Sequence, residues 1–466
     1  MCSINECRKG NRFLEFYLEI LFVLCLFFPV LHIFHCLPIF SVQGENKKHN
    51  PTTQKGISIL IPCYNEAGII KTSINSMKSL SYQNFEVIYI NDGSTDHTFR
   101  LLHEYLKLEP CWKTSNNSLP HNLVESTFQS KIYPNIYVVN KLNGGKADAL
   151  NAGIEYSSKE LIVTLDADTV LTESALTAVN NKFADEDVVA AGGMVHVLQT
   201  KTENPLSKLS LKVNMLLRVQ MLDFLKAFYV TKVSLARFQG LAIISGAFGI
   251  FNKKLLVEVG GYRSSVGEDI DITLKIQKYI TRKENKKKKI VLVSDAISYT
   301  ELPETWKDLY KQRLRWQKGY IDCLVQFFPF LLSTMFTKSV SFFYIVESFV
   351  VAVLASYVTA GIVIYLAIGD FSVSLLSFVV LYLLYIIVFN FLYDLSAIRQ
   401  VKRYGFTFEK KSWSRLLMTI IYDVTIHRFV IMYFVMYGSV AYFFNRDWVK
   451  VARTGRNYES ESDIAS

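Results

Sequence analysis

The chain has 466 residues, half of them apolar and 14% aromatic, and it carries a formal net charge of +10. This composition excludes a chain that is disordered throughout. The apolar residues lie mainly in the tract Phe13–Phe40 and in most of Ser339–Phe444, and about 20 apolar residues suffice to cross a bilayer. The sequence therefore predicts an integral membrane protein with a soluble domain between its membrane segments.

The positive charge has two interpretations. A basic chain can bind nucleic acid. Here, however, basic residues collect beside the apolar tracts, in Arg399–Arg415 and Arg446–Arg456, where the positive-inside bias and anionic lipid head groups place them. The seven cysteines form no C-x-x-C pair, which favours reduced thiols and a cytosolic soluble domain. We therefore expect membrane lipids, and no nucleic acid, among the partners.

The apolar tracts also predict how the chain is divided. Residues 1–45 hold one transmembrane segment, 46–300 a cytosolic α/β domain, 301–335 interfacial helices, 336–450 transmembrane helices and 451–466 a disordered tail. Spans are expected at about Ser341–Ile368 and Phe371–Ile398, whereas Leu416–Phe444 is either one long span or an interfacial helix followed by a span. In the first tract, His32 is either a functional intramembrane group or lies near the end of a tilted span.

Strands alternate with helices from Gly56 onward, which indicates a mainly parallel α/β sheet with ligands at the carboxyl ends of its strands. The predicted strands are Ile57–Pro62, Phe85–Ile90, Asn135–Val139, Leu161–Leu165, Val188–Val197, Ile243–Phe251 and Ile290–Val293. Leu206–Phe238 and Trp306–Phe330 have the spacing of long amphipathic helices. Pro110–Pro134 is polar and is predicted to be an irregular surface insertion.

The buried strand beginning at Leu161 ends in a pair of carboxylates, Asp166 and Asp168. Two carboxylates at positions i and i+2 can lean into one crevice if the strand breaks there. Oxygen ligands of this kind suit Mg²⁺ or Mn²⁺, which usually completes its shell with water and phosphate. The alternative is a solvated turn, because D-x-D also occurs by chance.

Two further loops fall at the same edge of the sheet. Gly144-Gly145-Lys146 can bring backbone amides and one cation to a diphosphate at a helix start, although it is not a Walker A loop. Asp92 can hydrogen-bond a base or a ribose. Alternatively, Asp92 and Asp96 only form a turn and cap the following helix.

An acidic group opens a helix at Gly267-Glu268-Asp269-Ile270-Asp271. Acids at a helix N-terminus are favourable without any catalytic role, and that explanation suffices for Glu268 and Asp271. Asp269 is the candidate general base. Further on, Arg315 and Trp316 either anchor a helix at the membrane interface or form a cation and a stacking platform.

Six segments, between about Ile57 and Gly319, together resemble one family. They are IPCYNE, INDGSTD, GGKADALNAG, LDAD, GEDIDITLKI and QRLRW. In this order the chain resembles the membrane-embedded family 2 glycosyltransferases, which include cellulose, hyaluronan and poly-β-1,6-N-acetylglucosamine synthases. The resemblance implies an α/β GT-A (Rossmann-like) catalytic domain with interfacial amphipathic helices and an α-helical transmembrane region.

The resemblance implies donor-binding roles for five residues. Asp92 is expected to hold the uridine, with Tyr64 and Glu66 near it. Lys146 is expected beside the diphosphate, and Asp166 is expected to contact the nucleotide sugar as well.

The resemblance also implies roles in metal binding, catalysis and acceptor binding. Asp168 is expected to bind the metal, Mg²⁺ or Mn²⁺, and Asp269 to be the base. Gln312, Arg315 and Trp316 form the Q-x-x-R-W set expected near the acceptor and the pyrophosphate. One departure from the family pattern is Gly267, which stands in place of the usual threonine.

The implied activity is processive, inverting polymerisation of a UDP-sugar into a β-linked extracellular polysaccharide at the cell membrane. UDP-N-acetylglucosamine is the best candidate donor, and translocation of the product is expected. The alternatives are transfer of one sugar to a lipid or other acceptor, a hyaluronan- or glucan-type synthase, and a membrane scaffold or nucleotide sensor with an inactive transferase domain. The expected partners are the UDP-sugar donor, a growing glycan or lipid acceptor, membrane lipids and a small accessory membrane subunit.

Overall fold

A computed structural model describes residues 19–20, 23–40, 53–115, 118–202, 208–368, 373–409 and 412–445. Parts of the predicted N-terminal span, the linker that follows it, the start of the second predicted C-terminal span and the predicted disordered tail lie outside the described residues. Within the described residues, the chain forms one large sheet followed by a group of long helices.

The soluble domain is built on a ten-stranded sheet. In sheet order the strands are β3 (Leu108–Pro110), β4 (Val124–Ser130), β5 (Ile136–Lys141), β2 (Phe85–Asp92), β1 (Ile57–Cys63), β6 (Leu161–Thr164), β10 (Gly249–Asn252), β8 (Val188–Val197), β11 (Lys289–Thr300) and β7 (Val170–Leu171). The central strands β5, β2, β1 and β6 are parallel, whereas β10 is antiparallel to both of its neighbours. The carboxyl ends of β2, β1 and β6 therefore meet at one edge.

Side chains of alternate residues on β1 belong to two separate cores. Ile59 and Ile61 pack in one core with the helices Ile70–Lys78 and Thr98–Leu106. Leu60 faces the other core, which is completed by the helices Lys146–Tyr156, Lys253–Glu258 and Glu268–Ile280. Neighbouring residues of a strand point to opposite faces of the sheet. Since both the odd-numbered and the even-numbered positions of β1 are apolar, both faces of the sheet must be covered by helices.

One predicted feature of the soluble domain is wrong. The insertion Pro110–Pro134 contains the regular strand β4, which pairs antiparallel with β5. Its side chains are mostly half-buried, so the sequence VESTFQS lacks the apolar run of a central strand. The segment Ile243–Phe251, predicted to contain a glycine-broken strand, is a regular strand only from Gly249 onward, in β10.

The predicted helix Leu206–Phe238 begins later than expected. Its described part includes the short strand β9, Lys208–Leu209, which pairs in parallel with β12, Thr407–Phe408. The helix itself begins at Met215, because the side chain of Asn214 accepts a hydrogen bond from the backbone N–H of Leu217 at 2.8 Å and caps the first turn. It continues through a π-helical turn to Arg237.

Among the described residues, three helices have the length and apolar composition needed to cross a membrane: Ser339–Gly361, Leu383–Arg403 and Trp413–Phe444. A shorter apolar helix covers Val23–His35. The segment Trp413–Phe444 is helical throughout, with a π-helical turn between Tyr422 and Arg428. The helix Trp306–Ser333, called here the QRLRW helix, precedes these spans.

His32 joins the N-terminal helix to the rest of the chain. Its Nδ1 lies 2.8 Å from Ser234 Oγ and its Nε2 lies 2.8 Å from Glu347 Oε1. The imidazole is buried with a hydrogen-bond partner at each nitrogen, so its position is explained by packing between helices.

Candidate active site

A cavity of about 840 Å³ opens at the edge where β1, β2 and β6 end. All ten residues singled out in the sequence line it: Tyr64, Glu66, Asp92, Lys146, Asp166, Asp168, Asp269, Gln312, Arg315 and Trp316. The same cavity is also lined by residues of the apolar helices, including Ser348, Val353 and Val435. One space thus contacts the strand ends, the QRLRW helix and the candidate membrane spans.

The pair of aspartates follows directly from the end of β6. The N–H of Thr169 donates to the carbonyl of Asp166 at 2.9 Å, which closes a turn and breaks the strand. Asp168 is nearly buried, and its Oδ1 lies 3.3 Å from the Thr300 hydroxyl, which donates to it. The donors gathered here are hard oxygen atoms of carboxylates and hydroxyls, which fit Mg²⁺ or Mn²⁺.

The carboxylate of Asp92 is bound by other groups of the same chain. Its carboxylate accepts hydrogen bonds from the N–H groups of Gly144 at 3.0 Å and Gly145 at 2.8 Å, and lies 2.7 Å from Lys141 Nζ. Asp92 thereby holds the glycine loop, and Gly145 adopts a φ of +86°, which glycine accepts without strain. The predicted contact of Asp92 with uridine stays a prediction, and it requires an exchange of these partners.

The neighbouring aspartate, Asp96, behaves as the capping alternative predicts. Its Oδ1 accepts from the N–H of Thr98 at 2.9 Å, and its Oδ2 accepts from the N–H of Ala67 at 3.2 Å. These bonds connect the loop after β1 with the loop after β2. Tyr64 and Glu66 lie in the first of these loops, with Tyr64 exposed and Glu66 nearly buried.

Lys146 links two acidic groups that are far apart in the chain. Its Nζ lies 2.7 Å from Asp166 Oδ1 and 2.8 Å from Glu268 Oε1. Burial acts to lower the pKa of Lys146, but the two carboxylates outweigh it, so the pKa is raised and the ammonium stays charged. A Cβ at Gly246 would lie 2.9 Å from this Nζ, so the missing side chain there makes room for the lysine.

Glu268 is the site residue that the sequence reasoning missed. The sequence analysis explains Glu268 only as a favourable acid at a helix N-terminus. In the structure, Glu268 is buried and its carboxylate contacts Lys146. The available signal was its position next to Asp269 within the resembling segment GEDIDITLKI.

Asp269 has the properties of a base that works near neutral pH. Burial, and then the carboxylate of Glu268, raise the pKa of Asp269 to about 6, against the opposing influence of Lys146, the Ile270 N–H and Lys232. The Ile270 N–H donates to Asp269 Oδ1 at 2.9 Å and orients the carboxylate. A carboxyl group that titrates near the working pH and faces a cavity is suited to proton transfer.

The helix that begins at Glu268 is packed backbone to backbone against the QRLRW helix. A Cβ at Gly319 would lie 2.8 Å from Gly267 Cα, so both positions need glycine. Arg263 adds a second link, because its Nε lies 2.7 Å from Asp271 Oδ1 and its Nη2 lies 2.6 Å from Asp322 Oδ2. The glycine that departs from the family pattern is therefore matched by a glycine on the neighbouring helix.

The QRLRW helix presents a polar and an aromatic group to the cavity. Gln312 Oε1 is buried and has no hydrogen-bond partner among the described residues, so it can accept a hydrogen bond from a bound hydroxyl. Trp316 is 39% exposed, which leaves part of its ring accessible for stacking. The guanidinium carbon of Arg313 lies 4.7 Å from the centre of that ring.

Comparison with known families agrees with the fold. The description "Glycosyl transferase family 2" matches residues 58–260, and "Glycosyl transferase family group 2" matches residues 161–393, which is half of the chain. The chain belongs to the family 2 glycosyl transferases. Together with the observed sheet, this membership confirms the predicted α/β GT-A fold class.

The chain is also similar to individual relatives. It is 29% identical over 290 residues to a poly-beta-1,6-N-acetyl-D-glucosamine synthase of Staphylococcus epidermidis, covering 62% of this chain and 60% of that protein. It is 28% identical over 316 residues to the synthase of the same name from Staphylococcus aureus, covering 67% of this chain and 66% of that protein. The matched part thus spans less than two thirds of these relatives' own length.

A solved structure, a mannosyltransferase from Pyrobaculum calidifontis in complex with GDP-Man and Mn²⁺, covers 92% of this chain and 100% of its own chain. The TM-score is 0.49 and the sequence identity is 14%.

Proposed function

We propose that this protein is a processive, inverting glycosyltransferase that polymerises a UDP-sugar into a β-linked extracellular polysaccharide. The observation that carries the proposal is the shared cavity, in which the Lys146–Asp166 pair lies in the same space as Asp269 and the QRLRW helix. A donor and an acceptor can therefore be bound side by side, with a base between them.

Donor binding is assigned to the loops at the strand ends. Tyr64 and Glu66 follow β1 and Asp92 ends β2, so a nucleoside bound there lies beside the glycine loop. Lys146 supplies a positive charge for the diphosphate, and Asp166 holds that lysine in place. A bound Mg²⁺ or Mn²⁺ would be held by Asp168, where it supplies Lewis-acid stabilisation of the charge on the diphosphate.

The chemical step is assigned to Asp269. Its carboxylate accepts the proton of an acceptor hydroxyl, and that oxygen forms a bond to the anomeric carbon of the donor sugar as the bond to the diphosphate breaks. Attack from the face opposite the diphosphate converts an α-linked donor into a β-linked product. The positive charge of Lys146 stabilises the departing group, which is an electrostatic contribution.

Acceptor binding is assigned to the QRLRW helix. Gln312 can accept a hydrogen bond from a sugar hydroxyl, Trp316 can stack on a sugar ring, and Arg315 adds a cation towards the pyrophosphate. The cavity also contacts the apolar helices, which supports passage of a growing glycan towards the membrane.

UDP-N-acetylglucosamine is the proposed donor, and the names of the staphylococcal relatives support it. The proposal places the catalytic domain in the cytosol, with several membrane crossings and a small accessory membrane subunit as a partner. The competing activity is transfer of a single sugar to a lipid or other acceptor.

The test uses the purified full chain with a panel of UDP-sugars, including UDP-N-acetylglucosamine, UDP-glucose and UDP-glucuronic acid. Release of UDP identifies the donor, and the size distribution of radiolabelled product separates polymerisation from single transfer. We expect long products from UDP-N-acetylglucosamine. Products that carry only one added sugar would support the competing activity, and no transfer from any donor would refute the proposed function.

A further inference from the structure

A buried group of charged side chains lies where the helix Met215–Lys226 meets two of the candidate membrane spans. Lys226 is at its centre, with its Nζ 2.6 Å from Asp423 Oδ2, 2.8 Å from Asp394 Oδ1 and 3.4 Å from Asp223 Oδ1. His427 completes the group through a contact of 2.8 Å between its Nδ1 and Asp423 Oδ1. We call these five residues the junction cluster.

The junction cluster resembles a metal site only in part. Ligand atoms of Asp223, Asp423 and His427 lie within 4.8 Å of one another, which a cation can bridge. The ammonium of Lys226, however, already contacts both of these carboxylates, and Arg428 Nε lies 3.5 Å from Asp423 Oδ2. Positive charges on both sides of the carboxylates disfavour a second cation, so the cluster is an ion-pair network.

This network reaches the active-site cavity through one arginine. A terminal nitrogen of Arg313 lies 3.3 Å from Asp223 Oδ2, and its guanidinium carbon lies 4.7 Å from the centre of the Trp316 ring. All three side chains line the cavity. Arg313 occupies the first of the two unspecified positions in Q-x-x-R-W, and the sequence analysis assigns no role to it.

The geometry limits how the Trp316 ring can turn. The ring is partly exposed, so packing by itself leaves it room to rotate, but a cation over its face stabilises one orientation. Arg313 is in turn held by Asp223, which Lys226 anchors among buried carboxylates. The orientation of the ring therefore depends on a chain of charges that ends in the membrane helices.

We propose that Asp223 and Arg313 are positioning residues that orient Trp316 as the stacking surface for the acceptor sugar. The inference rests on the proposed function, because it requires an acceptor glycan next to Trp316. It assigns to the second residue of QRLRW a role in acceptor binding that is separate from donor binding.

The first test measures donor and acceptor affinity separately in the purified full chain. The probes are UDP-N-acetylglucosamine as donor and an N-acetylglucosamine oligomer as acceptor. Arg313→Met keeps most of the side-chain length but removes the cation, so KM for the oligomer should rise by about 3- to 30-fold, the range of a cation–π contact. Affinity for UDP should stay within about twofold, and Arg313→Lys should restore part of the loss.

The second test asks whether Arg313 acts through Trp316. In a Trp316→Leu background, Arg313→Met should change KM for the oligomer by less than about twofold, because the ring it orients is missing. Asp223→Asn should raise the same KM in the wild-type background. Arg282→Met is the matched control, since Arg282 lies 5.4 Å from the Tyr279 ring outside the cavity lining and should change neither KM.

The outcomes separate this inference from the proposed function. Suppose that the wild type is active and that the increases in KM for the oligomer caused by Arg313→Met and Trp316→Leu multiply fully in the double variant. This result would overturn the inference but not the proposed function. So would an Arg313→Met protein with weakened UDP binding and normal KM for the oligomer. If Arg313→Met does not fold, Arg313→Lys and Asp223→Asn decide by the same measurements. A wild type that transfers from no UDP-sugar would overturn the proposed function, and this inference with it.

Discussion

The carboxyl group of Asp269 is surrounded by charges of both signs. Burial and Glu268 raise its pKa to about 6, whereas Lys146 and Lys232 oppose that rise. At the residue scale, Asp269 must lose its proton to act as a base, and the neighbouring carboxylate of Glu268 raises the pH at which it does so.

The first prediction concerns pH. Only the deprotonated carboxylate of Asp269 accepts a proton, so kcat/KM should rise with pH through about 6 and level off above it. Glu268→Gln removes a charge that raises the pKa, so the acid limb of the profile should move to lower pH. Glu258→Gln, which loses an acid outside the cavity lining, is the control. An acid limb at the same pH in all three proteins would contradict the assignment.

The second prediction separates catalysis from donor binding. Asp269→Asn keeps the size of the side chain but removes the proton acceptor, and general-base catalysis contributes about 10²- to 10⁴-fold in rate. Turnover should fall by that range while affinity for UDP changes little. If Asp269 only favours the helix dipole, its loss costs about 0.3–1 kcal/mol of stability and little rate. Turnover, UDP affinity and melting temperature of one preparation distinguish the two.

The third prediction concerns metal binding. A neutral amide is a poor ligand for Mg²⁺ or Mn²⁺ beside phosphates, so Asp168→Asn should lose most of its turnover and bind Mn²⁺ more weakly. Folding should persist, because the residue lies beyond the end of β6. Asp187→Asn, a partly exposed acid on the surface, is the control. Full activity of Asp168→Asn in chelator-treated membranes would refute a metal role.

At the scale of the elements, the contact between Gly267 and Gly319 joins the two helices that carry the base and the acceptor groups. The contact is between backbones, so the distance between the helices is set by the absence of two side chains. The link from Arg263 to Asp271 and Asp322 crosses the same boundary. Asp269 and the QRLRW motif are therefore held in one geometry by packing as well as by charge.

A glycine substitution tests this contact. In Gly319→Ala the new Cβ would meet Gly267 Cα at 2.8 Å, so the helices must separate, at a cost of about 1–3 kcal/mol. Turnover and thermal stability should both fall. Gly361→Ala is the matched control on another helix, where nothing lies within 4 Å of the new Cβ. There alanine should preserve stability or raise it by about 0.5–1 kcal/mol, because it is the better helix former. Equal stability of both variants would argue against the contact.

At the scale of the whole molecule, polar contacts join the soluble domain to the apolar helices. The N-terminal helix is held by His32, and the junction cluster connects the helix Met215–Lys226 with two candidate spans. The active-site cavity is lined by residues from both parts. We therefore expect the catalytic site to lie close to the membrane surface.

The arrangement across the membrane gives the prediction at this scale. One N-terminal span and two further spans put Ser41–Lys55 on the same, cytosolic side as the basic segment between the helices that end at Arg403 and begin at Trp413, as the positive-inside rule expects. Single cysteines introduced in these two segments should react equally with a membrane-impermeant thiol reagent applied to inverted membrane vesicles. If one of the two segments, but not the other, reacted with the reagent applied to the outside of intact cells, this topology would be overturned.

The amino-acid sequence by itself determined the features that depend on local composition. Apolar runs predicted the central strands, the length of the apolar tracts predicted a membrane protein, and the order of six short segments predicted the family that the comparisons confirmed. Seven of the ten candidate residues lie at strand ends or helix starts, and Gln312, Arg315 and Trp316 lie inside a long helix, all of which strand and helix periodicity locates. Each of these signals needs only neighbours along the chain.

The tertiary structure alone decided which distant residues share a contact. Lys146 pairs with Glu268 because the start of the helix Lys146–Tyr156 and the start of the helix Glu268–Ile280 come together at one edge of the sheet, and no periodicity in the sequence encodes that meeting. For the same reason, only the folded chain reveals that the carboxylate of Asp92 accepts hydrogen bonds from the amides of Gly144 and Gly145. Hydrogen bonds and ion pairs act over a few ångströms in space, so partners far apart in sequence become identifiable only once the sheet order and helix packing are known.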